Sequence, residues 1–138
     1  MAQALILDAE ALNALARARQ RPALAGRARA ILRVAHEEAA VVRVPAPVLA
    51  EVCRGGPTDA PVDWLLNGHG IVVLDLSAST ARRAGALLAR AKLSSAHAVD
   101  AFVVATALEF GSALIATGDP DDLRRLSSGF RQLRIFAV

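Results

Sequence analysis

Four carboxylates stand where a folded domain has little structural use for a charge. Asp8 ends the apolar run Leu5-Ile6-Leu7, and Glu51 sits inside Val48-Leu49-Ala50-Glu51-Val52. Asp100 lies in Ala98-Val99-Asp100-Ala101-Phe102, and Asp119 closes Ala113-Leu114-Ile115-Ala116-Thr117-Gly118-Asp119. An ionised carboxylate is costly to bury unless it is paired or bound to a metal. Four gathered in one place repel one another and invite a hard divalent cation. The chemistry to expect is metal-dependent hydrolysis.

Each acid also has a plainer role open to it. Asp119 heads Asp119-Pro120-Asp121-Asp122, a good helix start with an N-cap, a proline in the first turn and acids facing the helix dipole. Asp122 reads first as one of those dipole acids and second as a water-mediated metal contact. Asp8 can cap a helix starting at Ala9, although Ala11 stands where a capping box wants Glu or Gln. Glu51, taken alone, reads as the outward face of a short amphipathic helix. Asp100 is the hardest to explain in this way, because Ser94 or Ser95 can cap its helix, its neighbours are apolar, and a structural role would need a buried partner such as an arginine. His97, three residues earlier on the same helical face, can hydrogen-bond that carboxylate or a substrate phosphate, or be an ordinary half-exposed histidine.

The elements that must position these acids follow from periodicity. Short β-branched runs predict strands at Ala4–Leu7, Val41–Val44, Ile71–Leu74, Ser112–Ala116 and Leu133–Ala137. Helical patterns lie near 9–19, 24–40, 46–54, 59–67, 78–92, 95–110 and 120–127, and Gly68, Gly70, Gly111 and Gly129 read as helix C-terminal caps. Strands alternating with helices imply right-handed crossovers and a mostly parallel α/β sheet covered on both faces. Ligands of such sheets bind beyond the carboxyl ends of the strands. Asp8 and Asp119 follow strands directly, the Glu51 helix starts at that edge, and the Asp100 helix runs back towards it. All four acids are expected at one edge.

The remaining composition sets limits. A chain of 138 residues is most simply one domain, 1–138, with no linker or repeat. Mean hydropathy is +0.39, but the excess is largely alanine and no uncharged run approaches the ~20 residues of a spanning helix. Neither a membrane span nor a secretory signal is expected, and cytoplasm is the default location. The single cysteine, Cys53, excludes an intrachain disulfide and a cysteine-built zinc site; it reads as a small buried hydrophobe. His36 and His69 fit no zinc spacing. Net charge is +3, and fifteen of the sixteen basic residues are arginine. A basic shell around an acidic pocket suits a polyanion held through phosphates, while a solvated arginine-rich surface is the blander account. Trp64 is the sole tryptophan and tyrosine is absent, which argues against a platform for stacked bases.

Taken in order, Leu5-Ile6-Leu7-Asp8-Ala9, Val44-Pro45-Ala46-Pro47-Val48-Leu49-Ala50-Glu51-Val52, Val99-Asp100-Ala101 and Ala116-Thr117-Gly118-Asp119-Pro120-Asp121-Asp122-Leu123 resemble the PIN-domain ribonucleases. The particular resemblance is to VapC-type toxins of bacterial toxin–antitoxin pairs. It implies a three-layer α/β fold with a five-stranded parallel sheet in order 3-2-1-4-5, a Mg2+ or Mn2+ site, RNA cleavage, a homodimer and a cognate VapB-type antitoxin. Asp8, Glu51, Asp100 and Asp119 match the family's acidic quartet, and Thr117 its usual hydroxyl residue. Two positions depart from the pattern: Glu10 is bulkier than the small or polar residue common there, and His97 stands where many relatives carry a further acid.

The expected mechanism has Asp8, Asp100 and Asp119 holding the ion directly or through water, with Glu51 helping to bind it or to orient water. Arg54 is the candidate for guiding the RNA backbone. An antitoxin helix is expected to aim a basic residue at the quartet and to dock on Leu12, Leu15, Val48 and Val52. Three rivals remain. A phosphoacceptor receiver domain would use Asp8 and Asp75, but the only lysine, Lys92, precedes Asp100 instead of following the last strand. The others are a catalytically silent PIN-like binding module and a PIN nuclease outside toxin–antitoxin systems.

Overall fold

The protein, seen in a computed structural model that describes residues 2–138, is built on one five-stranded sheet. Its strands are β1 (Ala4–Leu7), β2 (Val41–Pro45), β3 (Ile71–Leu74), β4 (Ala113–Thr117) and β5 (Leu133–Ala137). Every pairing is parallel and the order is β3-β2-β1-β4-β5. The central strand reads Ala-Leu-Ile-Leu and is buried along its whole length. A strand covered on both faces needs such a continuous apolar run. Truncating Leu5 in this position should cost about 2–5 kcal/mol.

Right-handed crossovers then dictate where the helices go. Stepping from β1 to β2 to β3 lays α1 (Ala9–Ala16), α2 (Pro22–Glu37), α3 (Val48–Val52) and α4 (Ala60–Leu66) on one face. The chain then returns across the sheet to β4 and β5, which lays α5 (Ala78–Ala91), α6 (Ala98–Ala107) and α7 (Pro120–Ser127) on the other. The contacts follow this division: α1 packs on α2, α3 and α4, whereas α5, α6 and α7 pack on one another. The reversal of direction falls between β1 and β4, where a sheet of this kind opens its binding crevice. Among the described residues no helix is long and apolar enough to cross a membrane.

Several local expectations are revised. The 9–19 helix ends at Ala16, and the Glu51 helix shortens to Val48–Val52. Gly68, Gly70 and Gly129 adopt the positive φ of a helix exit, but Gly111 does not. Its backbone N–H donates to Gln3 Oε1 at 3.0 Å, and a Cβ there would meet that oxygen at 2.7 Å. Gly111 thus faces the movable end of the Gln3 side chain and is not there for backbone rotation. Ala39 and Lys92 take left-handed exits at φ 57° with no glycine to announce them.

Leu12, Leu15, Val48 and Val52, expected to face a partner, are all buried in the core. The apolar stripes of α1 and α3 pack on the protein's own interior, so they offer no docking surface.

Candidate metal centre

Asp8 sits at the N-cap of α1 and accepts a hydrogen bond from the Ala11 backbone N–H at 2.8 Å. Capping uses one carboxylate oxygen, so the role is added to its place in the crevice. The residue is 6% exposed. Burial pushes its carboxyl up to about 7, with the charges of Glu10 and Asp100 adding to the shift. The bond from Ala11 and a hydrogen bond with Thr117 pull the other way. Thr117, itself fully buried, accepts from the Asp119 backbone N–H through Oγ1 at 2.9 Å. One hydroxyl thus sets the turn that carries Asp119 and touches Asp8.

Asp119 occupies the N-cap position of α7, yet its side chain makes no capping hydrogen bond. The helix start that gave it an ordinary role leaves the carboxylate free. Asp100 is in the first turn of α6, an apolar helix that enters the core from the crevice edge. Burial raises its carboxyl to about 6, helped by the charges of Glu51, Asp122 and Asp119 and opposed by His97. Ser94 caps the 3₁₀ turn Ser95–His97, accepting from Ala96 N–H at 3.3 Å. No carboxylate is needed to start α6.

Asp8, Glu51, Asp100 and Asp119 together line one cavity of about 190 Å3, with Ala9, Glu10, Val99 and Val103 completing its wall. The site residues drawn from sequence converge as the topology required. Glu10, noted only as a bulky departure, is the addition. Its side chain lies against Gly118, where a Cβ would collide with it, and Arg21 pairs with its carboxylate at 3.6 Å. Its place in the first turn after Asp8 was the available signal.

His97 and Asp122 lie beside this cavity. His97 Nδ1 is 3.2 Å from Asp122 Oδ2, and one donor atom from each of His97, Asp100 and Asp122 falls within 4.8 Å of the others. Arg54 does not reach out as expected: its guanidinium donates to the Ala50 and Cys53 carbonyls at 2.9 and 2.7 Å.

A hard cation fits this donor set. The cavity offers five carboxylates and no basic side chain, and the two deepest acids have raised pKa values that a positive charge would lower. As the side chains stand, the group close enough to share one ion among the described residues is His97, Asp100 and Asp122; Asp8, Asp119 and Glu51 line the cavity beside Asp100 and would reach the ion directly or through water. Carboxylate ligands of this kind suit Mg2+ or Mn2+ over a soft metal.

No curated protein matches the chain. The model of the PIN domain family does, over residues 5–128, a span that takes in all four carboxylates and runs from β1 through α7. Proteins of that family are typically metal-dependent nucleases, and on a match of this extent the chain belongs to the PIN domain family.

Proposed function

We propose that this protein is a Mg2+- or Mn2+-dependent endoribonuclease and the toxin of a type II toxin–antitoxin pair. The observation that carries the nuclease reading is the single cavity that collects Asp8, Glu51, Asp100 and Asp119 without any basic side chain in its wall. A divalent cation bound there supplies a Lewis acid for the scissile phosphate and lowers the pKa of the attacking water. The chain's own groups do the positioning. Thr117 and the Ala11 N–H hold the Asp8 carboxylate in place, and the free Asp119 carboxylate faces the same space. Glu51, exposed at the rim, can accept a proton from water or orient it. His97, held by Asp122, would hydrogen-bond a phosphate oxygen of the substrate.

The toxin assignment rests on the ordered motifs that run along the chain. It carries with it a cognate VapB-type antitoxin, a homodimer and a cytoplasmic setting. The nuclease reading is tested by incubating purified protein with structured RNA. Cleavage should require Mg2+ or Mn2+ and stop with EDTA; cleavage that survives EDTA overturns the metal site. The toxin reading requires a small antitoxin-like reading frame just upstream of the gene and is tested by co-expressing the two. A silent, co-purifying complex is expected, and recovery of an active, uncomplexed nuclease would count against it.

A further inference from the structure

A second concavity, of about 570 Å3, lies at the other end of α1. Leu15, Ala16 and the following turn form one side of it, Pro57, Thr58 and Pro61 another, and Trp64 closes it. Its charged lining residues are Arg17, Arg19 and Arg29, and no carboxylate side chain lines it. The arginines divide into two kinds. Arg17 is committed to the protein: it donates to Asn13 Oδ1 at 2.7 Å, the Val52 carbonyl at 3.3 Å and the Thr58 carbonyl at 2.7 Å. Arg19 and Arg29 take part in no ion pair among the described residues. They are cations with nothing of the protein's own to neutralise.

Trp64 is 67% exposed, the most exposed large apolar side chain among the described residues. Its ring is steadied by His69, at 4.3 Å between centroids and tilted by 49°. An indole held in the open, beside arginines without partners, meets the two needs of a single-stranded nucleic acid. A base face can stack on an aromatic ring, and phosphates can be met by guanidinium groups. A sole tryptophan cannot make a run of stacked bases, but one stacking position beside a phosphate clamp is enough to fix a strand.

We propose that this groove binds a single-stranded segment of the RNA substrate, with one base stacked on Trp64 and flanking phosphates on Arg19 and Arg29. The inference rests on the ribonuclease reading and extends it. The two concavities share α1, with Ala9 and Glu10 lining the acidic one and Leu15 and Ala16 the basic one. At a rise of 1.5 Å per residue, helix α1 separates them by roughly 12 Å. A strand whose scissile phosphate lies at the acids reaches Trp64 within a few nucleotides. The groove would thus require unpaired RNA close to the cut.

The single tryptophan reports on its own occupancy. An Asp100→Asn chain, used so that RNA survives the titration, should show quenched tryptophan emission with a short single-stranded oligoribonucleotide and little change with the same sequence as a perfect duplex. Trp64→Leu in the same background, followed with a labelled oligonucleotide, should bind about tenfold more weakly, and Trp64→Phe should recover most of the loss. Arg19→Ala with Arg29→Ala should reduce the salt slope of binding by about 1.4, from ~0.7 per phosphate contact on a single strand. In the active chain, Trp64→Leu should raise KM more than it changes kcat. Cleavage with unchanged KM in Trp64→Leu, or emission that responds only to a protein partner, overturns the groove and leaves the nuclease standing. Quenching by RNA without any metal-dependent cleavage by the unmodified chain upholds the groove and removes the nuclease reading.

Discussion

The two concavities at the ends of α1 use opposite chemistry. One gathers five carboxylates in about 190 Å3 with no basic side chain in its wall; the other sets three arginines and a tryptophan around about 570 Å3 with no acid. The formal charge of +3 describes neither. In the acidic cavity the charges face one another, and Asp8 and Asp100 are driven towards holding protons. In the basic groove one arginine is absorbed by the scaffold and the other two are left over. Frustrated charge in a protein costs stability unless something outside relieves it. A cation is the fitting relief for the first region and a polyanion for the second.

Breaking the acidic side should have the largest effect. Asp100→Asn keeps the shape and removes a ligand charge, and RNA cleavage should fall by roughly 10²–10³-fold, the scale of losing one preorganised electrostatic group. Circular dichroism and the melting temperature should show a folded chain. Undiminished cleavage by a preparation free of contaminating nuclease would remove Asp100 from the site.

The same frustration predicts how metal-free stability depends on pH. The Asp8 carboxyl titrates at about 7 in the fold against 3.8 when free. Between those values the folded chain holds a proton that the unfolded chain has released, so stability declines as pH rises through that window. Above pH 7 the fold carries an ionised Asp8 at a net cost, set first by burial and offset in part by the Ala11 and Thr117 hydrogen bonds. Asp8→Asn keeps a good capping residue, flattens the decline, and should raise the metal-free melting temperature at pH 8 while shrinking the shift from millimolar Mg2+. A lower melting temperature at pH 8 would make Asp8 a structural acid.

On the basic side the contrast is within one residue type. Arg17→Ala removes hydrogen bonds that fasten the end of α1 to Val52 and Thr58, and an ion pair with Asp59 at 4.0 Å. Urea denaturation should register a loss of about 2–3 kcal/mol. Arg19→Ala should stay within about 0.5 kcal/mol of the unmodified chain. Equal losses from the two would erase the distinction between scaffold and free arginines.

The smallest effect concerns the border of the acidic cavity. Asp122→Asn weakens the hold on His97, and cleavage should drop by about tenfold, as for groups that orient a site's inner residues. A loss as deep as that from Asp100→Asn would move Asp122 into the set that holds the metal.

Much of this molecule could be read from its residues. The five strands announce themselves as short apolar runs, and parallel topology alone brings four distant acids to one edge. Helix ends were harder: the 9–19 pattern ends at Ala16 and the 46–54 pattern shortens to Val48–Val52, whereas the 78–92 pattern does end against the left-handed Lys92. The four apolar residues expected at a partner surface failed for another reason. An amphipathic stripe says that a face is covered, and in a three-layer fold the cover for α1 and α3 is the protein itself. Glu10 and the Arg19–Arg29–Trp64 groove were hidden because their meaning depends on neighbours far along the chain, Gly118 for the first and Pro57–Pro61 for the second.

Gly118 and Glu10 also constrain how this site can change with time. A methyl group at 118 has no room while a glutamate occupies position 10, and because the Glu10 Cβ alone would lie 2.9 Å from it, glycine at 10 is the replacement that clears the space. The two positions are thus epistatic. Gly118→Ala should be harmful alone and tolerated beside Glu10→Gly, so the order in which substitutions arrive decides which are open to descendants of this chain. A lineage holding Glu10 is committed to glycine at 118 until the acid is lost first.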